Sequence, residues 1–107
     1  MKYNLEKTEK FNIKEQLNAD EALQEEYIKQ VVFDFLNGEE DIEETISSLK
    51  PIIELHGSIE AFAKSIKIHK TTLYRIVKNE ISPQLPTFKK IIEGLGYNLE
   101  WNLKKVA

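Results

Sequence analysis

The stretch at residues 68–78 reads Ile68-His69-Lys70-Thr71-Thr72-Leu73-Tyr74-Arg75-Ile76-Val77-Lys78. Its Thr, Ile, Val and Tyr residues favour strands by propensity. The apolar residues do not alternate, however, because Leu73, Ile76 and Val77 follow at the helical spacing i, i+3, i+4. We therefore predict an amphipathic helix that is stabilised by packing rather than by intrinsic propensity.

The opposite face of this helix is polar and carries no acidic residue. With a rotation of about 100° per residue, the side chains of this face fall within an arc of about 140° around the helix axis. They are Lys70, Thr71, Tyr74, Arg75 and Lys78. Lys and Arg bind phosphate oxygens and guanine edges, and a Thr methyl group packs against the thymine methyl group. The pattern favours a DNA-reading face, with an ordinary solvated face as the alternative.

The preceding segment predicts a second helix that packs against the first. Ser58 is suited to cap its N-terminus. Ala63 is small enough for a close helix crossing, and Ile68 closes the turn between the two helices. This arrangement predicts a helix-turn-helix, in which the second helix enters the major groove of DNA.

The remainder of the chain predicts a mainly α fold of five or six helices with a short C-terminal β-strand. Asp20 and Asp41 are suited to cap two helices that precede the motif, and Pro51 predicts a break or bend in the second. A further helix follows Pro86. The strand is predicted from the alternation of apolar residues in residues 97–103.

The composition and charge of the chain limit the possible classes of protein. A length of 107 residues fits one domain, and the absence of Cys suits a reducing cytoplasm. No signal or membrane-spanning segment is recognisable. Residues 1–55 carry six Lys against fourteen acidic residues, whereas residues 56–107 carry nine Lys and Arg against four Glu. A basic half can place a polyanion site on one side of the protein, although uneven surface charge is the simpler explanation.

The segment GSIEAFAKSIKIHKTTLYRIVKNEISPQLPTFKKIIEGLGYNL, residues 57–99, resembles the phage-repressor-like (Xre/Cro) helix-turn-helix family, which has the lambda-repressor-like fold. Together with the acidic helix before it and the closing LGYNL, it resembles one branch, the HigA-like antitoxins of addiction modules. The resemblance covers roughly residues 11–103. It implies a homodimer that binds a palindromic operator in double-stranded DNA, represses its own operon and pairs with a small toxin.

The resemblance also implies roles for particular residues. Ser58 and the loop around Ser82 and Gln84 match positions that contact the DNA backbone. The candidate DNA-contacting residues are Ser58, His69, Lys70, Thr71, Thr72, Tyr74, Arg75, Lys78, Ser82 and Gln84. Lys67 stands where the family usually has Gly, which predicts a left-handed conformation for this Lys or a different turn. His69 stands where the family usually has a Ser or Thr cap.

We divide the chain into residues 1–56, an N-terminal arm with acidic helices, and residues 57–107, the DNA-binding region, both within one compact domain. The acidic helices at residues 20–55 are the predicted surface for a small basic toxin. Two alternatives remain open. One is a free-standing repressor without a toxin, and the other is a protein-interaction domain that uses the helix-turn-helix as a scaffold.

Other residues predict neither a metal site nor catalysis. His56 and His69 lie thirteen positions apart without Cys, and the acidic run at residues 39–44 lacks the spacing of a calcium-binding loop. No nucleophile elbow or phosphate-binding loop is present, so we expect no enzyme activity and no cofactor. Tyr97 and Trp101 are expected to pack in the core or across a dimer.

Overall fold

The computed structural model of the protein describes residues 20–100 and 103–106. Residues 1–19, which include the predicted N-terminal arm, lie outside them. The described part contains five helices: α1 (Glu21–Leu36), α2 (Ile42–Leu55), α3 (Ile59–Ile66), α4 (Lys70–Val77) and α5 (Leu85–Gly94). The predicted mainly helical fold is confirmed.

Helix α1 begins where Asp20 accepts a hydrogen bond from the Leu23 N–H, at 3.1 Å. This bond satisfies one of the amides that have no partner within the helix. After α1 ends, Gly38 adopts a positive φ of 75°. The predicted cap at Asp20 is therefore confirmed.

Helix α2 begins with a reciprocal capping box. The Asp41 carboxylate accepts from the Glu44 N–H at 2.8 Å, and the Glu44 carboxylate accepts from the Asp41 N–H at 3.2 Å. Of the predicted break or bend at Pro51, the break does not occur, because a single helix continues through this residue, and the bend stays a prediction. The fully buried side chains of Leu49 and Ile52 on either side of Pro51 hold the helix against the core, which offsets the lost backbone hydrogen bond.

One hydrophobic core joins all five helices. Helix α1 packs on α2, α2 packs on α3 and α4, and α3 packs on α4 and α5. The rings of Phe35 in α1 and Phe88 in α5 lie 5.0 Å apart. Within residues 20–100, seven hydrophobic side chains are 0% exposed: Ile46, Leu49, Ile52, Ile53, Leu73, Phe88 and Ile91. Helix α4 is thus held by the same core as the acidic helices.

The predicted C-terminal strand is not formed in the described residues 97–100 and 103–106. Leu99 is buried in the core, but Leu103 is fully exposed, so the alternation does not produce one buried face. A strand also needs a partner for its backbone N–H and C=O groups, and no strand is present among the described residues. Trp101 lies outside them, whereas Tyr97 is half-buried and packs against the core.

Candidate nucleic-acid interface

Helices α3 and α4 are joined by a tight turn at Lys67 and Ile68. The side chain of Ser58 caps α3 by accepting from the Ala61 N–H, at 3.0 Å. At the other end of α3, Lys67 adopts a left-handed conformation with φ of 60° and ψ of 45°. The Ile68 N–H then donates to the Ala63 carbonyl at 3.0 Å, a bond of the kind that closes a Schellman motif. Of the two predicted alternatives, a left-handed Lys67 or a different turn, the structure shows the left-handed Lys67.

Helix α4 buries one face and exposes the other. Leu73, Ile76 and Val77 are each 5% exposed or less, so this face is fixed to the core. The predicted amphipathic helix is therefore confirmed, and its shortness and poor helix propensity are compensated by burial. The exposed side chains are Lys70, Thr71, Thr72, Tyr74 and Arg75, followed by Lys78 at the helix end.

His69 caps the N-terminus of α4. Its Nδ1 atom accepts a hydrogen bond from the Thr71 N–H at 3.2 Å. The imidazole thus takes the place of the usual Ser or Thr hydroxyl as the helix cap. The other histidine, His56, lies edge-on to the Phe62 ring at a centroid distance of 6.2 Å.

The chain leaves α4 through a second left-handed residue, Asn79, with φ of 60°. The Glu80 N–H donates to the Arg75 carbonyl at 2.8 Å, which closes the helix end. Asn is one of the few residues that adopt this conformation readily, because its short polar side chain forms local hydrogen bonds. Both ends of α4 are therefore flanked by non-glycine residues with positive φ, Lys67 and Asn79.

Two side-chain hydrogen bonds attach the loop after α4 to helix α2. The Asn79 amide donates to the Ser47 hydroxyl oxygen at 2.8 Å, and the Ser82 hydroxyl donates to the Glu43 carboxylate at 3.0 Å. Pro83 in this loop is buried. The loop is thus fixed relative to the first turns of α2, beside the exposed face of α4.

Three charged or aromatic side chains on α4 have close neighbours. Lys70 Nζ lies 3.8 Å from Glu60 Oε1 in α3, and Arg75 Nε lies 3.7 Å from Glu80 Oε1 in the following loop. The Lys78 ammonium lies 5.7 Å from the centroid of the Tyr74 ring, a cation–π distance. The exposed face therefore presents its cations together with nearby carboxylates.

All ten candidate DNA-contacting residues are exposed. Those of α4 lie on its exposed side, His69 and Lys78 cap its two ends, and Ser82 and Gln84 follow in the adjoining loop. Gln84 stands at the start of α5 without a side-chain cap hydrogen bond. Local sequence pattern does not indicate that Glu43, Ser47 and Asn79 lie beside this face, because only the fold brings α2 to the loop.

Helix α3, the tight left-handed turn after it and helix α4 form a helix-turn-helix arrangement, in which the apolar face of α4 packs against the core. Residues 52–102 match the helix-turn-helix family HTH_3. The chain thus contains a helix-turn-helix domain, which indicates a DNA-binding transcription regulator. No curated protein and no solved structure gives a significant match to the chain.

The match begins inside α2, at the buried residue Ile52, rather than at residue 57. The C-terminal turn of α2 therefore lies within the matched segment of the helix-turn-helix domain. Among the helices between residues 20 and 100, none combines the length and the apolar character that crossing a bilayer requires.

Proposed function

We propose that the protein is a sequence-specific repressor that inserts α4 into the major groove of double-stranded DNA. The observation that carries the proposal is the division of α4 into a buried apolar face and an exposed face with Lys70, Tyr74 and Arg75. The major groove is about 12 Å wide and admits one helix. Helix α3, packed against α4, would then lie across the DNA backbone.

Base reading is assigned to the exposed face of α4. Arg75 and Lys70 carry donors suited to the O6 and N7 atoms of guanine, and the methyl group of Thr71 is suited to thymine. Phosphate contacts are assigned to Ser58 at the N-terminus of α3 and to Ser82 in the loop after α4. A helix N-terminus favours an anion, because its first amides point outward and its dipole is positive there.

We further propose that two copies of the chain bind a palindromic operator. Each copy would read one half-site, and the two α4 helices would lie about 34 Å apart, which is one turn of DNA. One α4 helix of eight residues contacts few base pairs. A second copy doubles the number of bases that are read.

In vitro selection of the purified protein on duplexes of random sequence, at near-physiological salt, tests this function. Enrichment of an inverted repeat with half-sites about one helical turn apart is expected. Enrichment of a single half-site would contradict the homodimer but retain the sequence reader. No enrichment by a folded protein would overturn the proposal and favour the interaction-domain alternative.

We also propose an antitoxin role, in which the acidic helices bind a small basic toxin. One observation favours a partner there: Phe33 and Leu36 of α1 are 59% and 49% exposed, respectively. They lie three residues apart and so share one face of the helix. Helix α1 also carries four acidic residues and one Lys. A basic protein with an apolar cleft matches both properties.

Co-expression with the product of the adjacent gene tests the antitoxin role. If that product arrests growth, the wild-type chain is expected to restore it. Phe33→Ser is expected to abolish rescue but retain operator binding, whereas Arg75→Ala is expected to do the reverse. A harmless neighbouring product, or rescue that Phe33→Ser leaves intact, would favour a free-standing repressor.

A further inference from the structure

We propose that three glutamates at the border of the DNA-reading face act as internal counterions that DNA must displace. We name Glu43, Glu60 and Glu80 the carboxylate rim. This inference rests on the proposed DNA-binding function and specifies how the affinity of that site is set. The rim is invisible in α4 itself, because the exposed face of that helix contains no acidic residue.

Each rim carboxylate contacts a different donor that is assigned to DNA. Glu60 lies 3.8 Å from Lys70 Nζ, and Glu80 lies 3.7 Å from Arg75 Nε. Glu43 accepts the hydrogen bond of the Ser82 hydroxyl at 3.0 Å. Two cations and one hydroxyl of the proposed interface are therefore already engaged by oxygen acceptors within the protein.

The three glutamates come from three separate elements. Glu43 belongs to the first turn of α2, Glu60 to the first turn of α3 and Glu80 to the loop after α4. They converge on the reading face only in the folded chain. The convergence of three independent elements on three different donors argues for a property of the surface rather than for one incidental ion pair.

Exchange of these carboxylates for DNA groups is energetically feasible. In the Lys70–Glu60 pair the side chains are 55% and 67% exposed, and in the Arg75–Glu80 pair they are 55% and 54% exposed. Such solvated pairs contribute little free energy and are readily broken. The carboxylates nevertheless remain next to the incoming phosphates, within the screening length of the solution, and repel them.

The rim also affects the response of DNA binding to salt. A Lys or Arg that neutralises a phosphate releases condensed counterions from DNA, which makes binding fall steeply with salt concentration. A cation that first leaves a protein carboxylate exposes a new negative charge, and this charge takes up a cation from solution. The net ion release is therefore smaller than the number of basic residues on α4 suggests.

Binding of a fluorescently labelled mixed-sequence duplex, measured over a salt series, tests the rim. Glu60→Gln and Glu80→Gln are each expected to raise affinity about two- to fivefold at low salt. The double variant is expected to steepen the slope of log K against log salt by up to about two, one increment for each freed cation. The matched control is the double variant Glu21→Gln and Glu26→Gln on α1, which changes the net charge by the same amount. We expect it to change the affinity and the salt slope much less.

Two substitutions of Glu43 distinguish the effect of its charge from the effect of its hydrogen bond to the loop. Glu43→Gln retains an acceptor for Ser82 and removes the charge, so affinity is expected to rise. Glu43→Ala removes both and releases the loop, so affinity is expected to rise less or to fall. Thermal melts check that each variant is folded.

The outcomes distinguish this inference from the proposed function. A folded wild-type protein that binds no duplex even at low salt overturns DNA binding, and the rim with it. The other outcome is that the wild-type protein binds DNA, but the Glu60 and Glu80 double variant changes the affinity and the salt slope no more than the α1 control does. That outcome overturns the rim alone.

Discussion

Gly94 of α5 lies so close to Ile66 of α3 that a Cβ atom at Gly94 would overlap Ile66 Cγ2. The same Cβ would lie 2.9 Å from Cζ of Phe62, which is also in α3. Ile66 and Phe62 are both buried, so neither can move aside cheaply. The absence of a side chain at Gly94 therefore sets how closely α5 supports the helix that precedes the turn.

Gly94→Ala is expected to lower the free energy of unfolding by about 1–3 kcal/mol, the usual cost of overpacking a core. The gain of up to about 1 kcal/mol in helix propensity offsets only part of this cost. Glu93→Ala at the exposed neighbouring position is the control and should stay within about 0.5 kcal/mol. Denaturant unfolding measures both, and an unchanged or raised stability of Gly94→Ala would contradict the close contact.

Lys67→Gly is expected to raise the free energy of unfolding by about 0.5–1 kcal/mol. A residue with a side chain has a strained backbone at φ of 60°, and Gly avoids this strain. The strain costs more free energy than Gly loses through its greater conformational entropy in the unfolded state. Lys64→Gly, inside α3, removes the same charge and should lower stability by about 1 kcal/mol. If both variants lose stability equally, Lys67 is not under backbone strain.

Tyr27→Phe tests a hydrogen bond between helices together with its pH dependence. The Tyr27 hydroxyl donates to the Ser48 carbonyl of α2 at 2.9 Å. Burial raises the pKa of Tyr27, a hydrogen bond with the Ser48 side chain lowers it, and the Glu40 charge raises it further. Below about pH 10 the substitution is expected to cost a constant 0.5–1.5 kcal/mol, roughly the value of one hydrogen bond.

Above about pH 10, unfolded wild-type chains lose the Tyr27 proton whereas folded chains retain it. The contribution of Tyr27 to stability is therefore fully present below the unfolded pKa and is lost as pH rises through the folded pKa. Tyr27→Phe lacks this titration, so its stability should fall less steeply with pH. The free energy of unfolding of both proteins is measured by urea unfolding at a series of alkaline pH values. If it falls equally steeply with pH for both, the pKa of Tyr27 is not raised.

Arg75→Ala is expected to weaken binding of the selected operator by about 1–3 kcal/mol if Arg75 reads a base. The loss on mixed-sequence duplex should be smaller, because a base contact is not made there. Lys29→Ala on α1 removes one positive charge outside the interface and serves as the control. An equal loss on both duplexes, measured by fluorescence anisotropy, would make Arg75 a phosphate contact instead.

Much of the fold was predictable from local pattern. The apolar spacing of Leu73, Ile76 and Val77 outweighed their strand propensity, because packing on the shared core decides the conformation. No break occurs at Pro51 for the same reason, since buried neighbours hold α2 together through this residue. The alternation in residues 97–103 was misleading, because a strand also requires a partner that the described residues do not supply.

The site was predictable only where it is local. The exposed face of α4 follows from helical periodicity within eight residues. The contact between Glu43 and Ser82 spans 39 positions and that between Ser47 and Asn79 spans 32, so no short-range pattern indicates either one. Glu80 is only five positions after Arg75, but it lies beyond the end of α4, so the helical periodicity of α4 does not indicate their contact.

The two faces of α4 divide its residues into a set that folds the protein and a set that faces outward. Leu73, Ile76 and Val77 are buried, whereas Thr71 and Arg75 are exposed. Substitutions at exposed positions away from special features change stability little. If α4 reads DNA as proposed, single replacements on its outward face can change the recognised sequence while the protein stays folded. The residues that would change DNA recognition are thus different from the residues that determine stability.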